Sequence, residues 1–161
     1  DMATTVENGV IAIANRNRRD ALVHFNSQGK VLSTIPNPIT SQVDDAELSP
    51  QIAIDGRGNI YILGTVINTV LKYGSDGKYI TRFGSEGDNP GQFRAAHNIA
   101  VDNQGRVYVS NFGEVDVFSA EGRFLDSFGM PAGPAFGLIF NDKDELYVAS
   151  RTQVYKFTLN E

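Results

Sequence analysis

Apolar and polar residues alternate along most of this chain with a period of two, and Gly, Asn, Asp or Ser interrupts the pattern every few residues. That period marks half-buried strands joined by tight turns. The clearest stretch runs from Asn98 to Gly129. It predicts four strands: Ile99-Ala-Val-Asp102, Val107-Tyr-Val-Ser110, Val115-Asp-Val-Phe118 and Phe124 to Phe128. Asn103-Gln-Gly105, Asn111 to Glu114 and Ala120-Glu-Gly122 fall between them. No window carries an apolar i, i+3, i+4, i+7 face, so no helix is expected.

The other segments repeat this unit. Second-strand cores are Val10-Ile-Ala-Ile13, Ile60-Tyr-Ile-Leu63, Val107-Tyr-Val-Ser110 and Leu146-Tyr-Val-Ala149. Third-strand cores end on the aromatics Phe25, Tyr73, Phe118 and Phe157. Both markers recur at intervals of about 40 to 50 residues, the length of a propeller blade. Gly29, Gly77 and Gly122 follow the third strands in hairpin turns. Between first and second strands come Glu7-Asn-Gly9, Gly56-Arg-Gly58, Asn103-Gln-Gly105 and Asp142-Lys-Asp144. Fourth strands are found only at Val31 to Ile35, Tyr79 to Phe83 and Phe124 to Phe128. The reading is an all-β, single-domain or partial β-propeller of about four antiparallel blades, at 1–36, 51–84, 98–129 and 137–161, the last without its outer strand. Long Pro-, Gly- and Asp-rich connections lead from one blade to the next. Tyr61, Tyr108, Tyr147 and the third-strand aromatics are expected between blades, because a lone blade cannot bury its own faces.

Phe83-Gly-Ser-Glu-Gly-Asp-Asn-Pro-Gly-Gln-Phe93, His97-Asn-Ile-Ala-Val-Asp102 and Gly105-Arg-Val-Tyr-Val-Ser110 together resemble the NHL repeat. Ala96, Asn98 and Asn111 stand where that family commonly has Pro, Gly and Asp. The likeness covers residues 52 to 129 and fades at both ends. It implies a ring of six blades, of which four lie here. A longer polypeptide, a second chain or a ring closing on four blades would each accommodate that.

Composition narrows the function little. The 161 residues carry 14 Lys and Arg against 19 Asp and Glu, a net charge of -5, which argues against a phosphate-reading surface. With no Cys, neither a disulfide nor a thiolate zinc site can form. No apolar run approaches the ~20 residues of a membrane span. The opening Asp-Met-Ala-Thr-Thr reads as no leader segment.

His97 precedes an inner strand and is expected at the rim of the central channel, with Asp1, Pro50 and Phe136 at the matching positions. The resemblance implies that a histidine there holds zinc in some peptide-amidating lyases, or simply lines the channel. Asp55, Asp102 and Asn141 end inner strands and either cap the following turn or gather around a cation such as calcium. Arg16, Arg18 and Arg19 form a basic cluster in the loop between second and third strands, with Asp44, Asp45 and Glu47 available to neutralise it. Together with Asn68, His97, Asn98, Phe112 and Glu114 these arginines make the expected binding rim. The main expectation is a non-enzymatic module without a cofactor that binds a protein or a glycan, in a bacterial extracytoplasmic or membrane-associated assembly. One alternative is a lyase- or lactonase-like propeller enzyme with calcium or zinc on the channel axis. RNA binding is the other, as the resemblance implies for some animal propellers, and the acidic balance disfavours it.

Overall fold

The computed structural model describes residues 1–16, 19–43, 47–131 and 133–158. Blade 1 comprises β1 (Met2–Thr4), β2 (Val10–Arg16), β3 (Arg19–Phe25) and β4 (Val31–Pro36). Blade 2 comprises β5 (Gln51–Ile54), β6 (Ile60–Gly64), β7 (Thr69–Tyr73) and β8 (Tyr79–Phe83). Blade 3 comprises β9 (Asn98–Val101), β10 (Val107–Asn111), β11 (Glu114–Phe118) and β12 (Phe124–Gly129). Blade 4 has three strands among the described residues, β13 (Gly137–Phe140), β14 (Leu146–Ala149) and β15 (Val154–Phe157). Each sheet is antiparallel and its spatial order follows the chain. The inner strands β1, β5, β9 and β13 pack side by side in sequence order. The fold is a β-propeller, and among the described residues it contains no helix.

The hairpins form where side chains replace water around the turn amides. Asp55 Oδ1 accepts from the N–H groups of Arg57 and Asn59, both at 2.9 Å. Asp102 Oδ1 does the same for Gln104 and Arg106, at 3.0 and 2.8 Å, and Asn141 Oδ1 for Lys143 and Glu145, both at 3.0 Å. These are Asx turns, and they answer the choice between cap and cation ligand with a local structural role. Blade 1 uses Thr5, whose Oγ1 accepts from Gly9 N at 3.0 Å.

This corrects the alignment of the first turn. The left-handed residue there is Asn8 (φ 57°), matching Gly58, Gly105 and Asp144, not Gly9. Gly9 is required for another reason: a Cβ on it would lie 2.4 Å from the Phe25 carbonyl oxygen. A bulge recurs just before the third-strand aromatic in blades 1, 2 and 3, at His24/Phe25, Lys72/Tyr73 and Val117/Phe118. Such a bulge adds twist, which lets the outer strand fan away from the axis.

The core lies in the seams between blades. Between blades 1 and 2 it comprises Ile11, Ile13, Leu22 and Ile39 against Ile52, Ile60, Ile62, Leu71 and Tyr73. Between blades 2 and 3, Tyr61, Leu63 and Val70 meet Ile99, Val107, Val109 and Phe118. Phe93 enters this seam from the connection between blades and sits edge-on to Phe118 at 5.7 Å. Between blades 3 and 4, Tyr108, Val115 and Val117 meet Leu138, Leu146 and Val148.

Tyr61 and Tyr108 are buried as expected, but Tyr147 is only half-buried. Its face of blade 4 carries no further sheet among the described residues, and Ile139 and Val154 on that face are 66% and 69% exposed. Blade 4 therefore presents apolar side chains on its outer end face.

Replacing Phe93 by Ala should destabilise the fold by about 3–5 kcal/mol, since a fully buried ring is lost from a seam that cannot collapse freely. Val154→Ala should change stability by less than about 0.5 kcal/mol. Urea unfolding of both variants checks the contrast.

Candidate functional site

The starts of the inner strands line one mouth of the channel. Register places Asp1, Gln51, Asn98 and Gly137 at equivalent positions, directly ahead of Met2, Ile52, Ile99 and Leu138. Asp1 thus matches Asn98 and not His97, a correction that follows from the one-residue shift in the first turn. Pro50 and Phe136 remain the counterparts of His97.

These first residues reach from blade to blade. Asp1 Oδ2 accepts from Ile52 N at 2.8 Å, and Asn98 Oδ1 accepts from Leu138 N at 3.0 Å. Asn98 Nδ2 donates to Gln51 Oε1 at 3.2 Å. Each bond satisfies an inner-strand group at the seam and also holds a polar side chain at the mouth. His97 is half-buried beside them; its N–H donates to Ser110 O at 3.0 Å and its ring lies 5.5 Å from that of Phe136.

Asp55 and Asp102 lie at the other ends of β5 and β9, about 13 Å along each strand at ~3.3 Å per residue. The structure therefore does not bring them together with His97. Each carboxylate also accepts from a tyrosine of its own blade, Tyr61 at 3.3 Å and Tyr108 at 3.2 Å. Burial first, and the neighbouring carboxylate next, push both phenols up. Among the described residues no three His, Cys, Asp or Glu side chains converge as metal ligands would.

The rim residues divide. Arg16 and Arg19 pair at the end of the β2–β3 hairpin, so both lie in paired strands and not in the expected loop. Arg18 lies outside the described residues, as do Asp44 and Asp45. Glu47 is buried and accepts from the N–H groups of Leu48, Ser49, Val66 and Ile67, which ties it to the β6–β7 turn of blade 2. Asn68 is buried too, in a left-handed turn, with its Oδ1 accepting from Ala96 N at 3.3 Å. Phe112 is 64% exposed at the β10–β11 turn, and Glu114 half-buried next to it.

One pair of residues escaped the sequence reading. Asn111 is buried beneath the approach to His97, where its Oδ1 accepts from Arg94 N and Phe112 N at 2.9 and 2.8 Å. Its Nδ2 donates to Asp116 Oδ2 at 3.0 Å. Asp116 occupies a strand position held by Val23, Leu71 and Tyr155 in the other blades. A carboxylate in that apolar column was the available signal. Burial pushes its carboxyl up to about 6, against the Asn111 amide and with help from Glu114.

No protein-family model matches the sequence, and no curated protein does. Solved structures match in fold. A gluconolactonase of Xanthomonas campestris has a TM-score of 0.69 at 15% identity over 97% of this chain and 55% of its own. Regucalcin of Agrobacterium tumefaciens, a calcium-binding protein, has 0.67 at 16% identity over 95% and 53%. A streptogramin B lyase has 0.66 at 11% identity over 98% and 53%. The chain spans about half the length of these proteins, and identities this low show the fold alone. The narrower NHL assignment has no family-model match behind it.

Because the Asp116 carboxyl is raised in the folded state, its contribution to stability is fully present below its unfolded value near 4 and is lost as pH rises through about 6. Asp116→Asn should therefore gain stability relative to the parent between pH 4 and pH 7. Urea midpoints for both proteins across that range measure it.

Proposed function

We propose that this chain belongs to a propeller enzyme of the lactonase or lyase kind, acting at the channel mouth lined by β1, β5, β9 and β13. The observation that carries this reading is the row Asp1, Gln51 and Asn98, three oxygen-bearing side chains delivered to one mouth by consecutive inner strands. The structural likeness to a gluconolactonase, to regucalcin and to a streptogramin lyase supports it.

A cation at this mouth must suit the donors present. One carboxylate and two carboxamides are hard oxygen ligands and fit calcium. They do not fit zinc, whose protein sites are built mainly on histidine and cysteine, with a carboxylate beside them; His97 is the one histidine at the mouth, and His24 lies in β3 on the seam between blades 1 and 2. Asp1, Gln51 and Asn98 would hold the ion, and its chemistry there would be to polarise a substrate carbonyl or ester oxygen. The chain's own groups supply the rest. Phe136 fixes the face of the His97 ring, so the imidazole can hold or pass a proton at the mouth. The blade-to-blade bonds of Asp1 and Asn98 keep their side chains pre-oriented.

A second reading, contact with a protein or a glycan through the same rim, has one observation in its favour. Phe112 offers a large apolar side chain to solvent beside the mouth. The extracytoplasmic placement expected from the sequence belongs with it.

Calcium titration and hydrolysis of D-glucono-δ-lactone test the enzyme reading. Calcium should bind, and hydrolysis should vanish on chelation. Asn98→Ala should lower calcium affinity or turnover about 10- to 100-fold, and Phe112→Ser should leave both unchanged. A protein that neither binds calcium nor opens lactones is not this enzyme.

A further inference from the structure

A second cavity, of about 530 Å³, opens between blades 2 and 3 on the face away from His97. The β5–β6 and β9–β10 turns and the β11–β12 turn surround it. Its floor is Lys72, which is 8% exposed. The ammonium donates to Ala120 O at 2.7 Å and stands 5.1 Å above the Tyr61 ring. Neither partner carries a formal charge. The carboxylate whose charge reaches Lys72, Glu121, is exposed on the lip and makes no ion pair with it, and a buried cation without a bonded counter-charge is costly.

Blade 4 contains an internal control. Lys156 occupies the position of Lys72, opposite Tyr147 as Lys72 is opposite Tyr61. Lys156 also sits over its tyrosine, at 5.9 Å, but it pairs with Glu145 at 2.6 Å. Glu145 comes four residues after the turn cap Asn141; the same place in blade 2 is Asn59, a neutral side chain, and in blade 3 it is Arg106. The counter-ion position that serves Lys156 is therefore uncharged beside Lys72 and reversed in sign across the cleft.

Three arginines add to the cleft wall. Arg106 is tied to Asp102 at 2.6 Å. Among the described residues, the guanidinium groups of Arg57 and Arg123 have no hydrogen-bond acceptor. Two carboxylates oppose them. Asp55 is committed to its own turn, and Glu121 is exposed on the lip, where its carboxyl is held down first by Ser119 and then by Lys72 and Arg123. We propose that this cleft binds the phosphate group of a small molecule, with Lys72 as the buried anchor and Arg57 and Arg123 closing on the anion from the lip. Arginine forks suit phosphate geometry, and lysine supplies the point charge. In a chain of net charge -5 such a pocket is set apart from the general surface.

Thermal melting with inorganic phosphate tests the site, using potassium chloride at equal ionic strength as the reference and acetate as a planar-anion arm. Phosphate should raise the melting temperature above the chloride reference. The Arg57→Gln/Arg123→Gln double variant should lose at least about tenfold in phosphate affinity, or about 1.4 kcal/mol, with its melting temperature in chloride unchanged. Lys72→Gln should lose the response altogether; if it does not fold, the double variant alone decides. Equal phosphate responses in the parent and the double variant, or a response no larger than that to chloride, overturn the proposal. A response to acetate as large as that to phosphate overturns the assignment to phosphate.

Discussion

The seam between blades 2 and 3 is the contact on which the rest of the molecule depends. Neither sheet can hide its own faces, so Tyr61, Leu63 and Val70 need Val107, Val109 and Phe118 against them. Phe93 wedges the connection into the same seam, where Phe83, Phe93 and Phe124 each meet the Phe118 ring edge-on or tilted. Packing of this kind places the β5–β6 and β11–β12 turns side by side, which creates the cleft above Lys72. It also brings β5 and β9 close enough for Asn98 to reach Gln51 at the channel mouth. Both candidate sites are thus consequences of one hydrophobic contact, at opposite ends of the same strands.

Polar groups buried at the strand ends fasten what the seams leave loose. Asp20 holds the connection after blade 1 through Ile39 N and the Thr40 hydroxyl. Glu47 gathers the amides of the β6–β7 turn, and Asn111 those leading into His97. Each replaces solvent around amides that a β-ladder cannot reach. The approach to His97 is thereby anchored by Asn111.

Much of this was legible along the chain. The period of two located the strands, and the third-strand aromatics located the blades, because strand geometry is local and each hairpin carries its own turn residues. Asp55, Asp102 and Asn141 could be read as turn caps for the same reason. Arg16 and Arg19 could not be placed, since alternation stops at Ile13 while the ladder continues to the end of the hairpin. Asn68 looked like a rim residue and Glu47 like a counter-charge for the arginines, but both are buried, because their partners lie on a neighbouring turn or connection distant in sequence.

The sequence by itself determined a β-propeller of four repeating units with three strands in the last, which rests on short-range periodicity. Only the tertiary structure decided that Asp1 aligns with Asn98, that Asp1, Gln51 and Asn98 share one mouth, and that Lys72 is buried while its counterpart Lys156 has a carboxylate beside it. Those facts depend on how one sheet lies against the next. Inter-blade distances come from the fit of two apolar faces, and no period within a single strand encodes them.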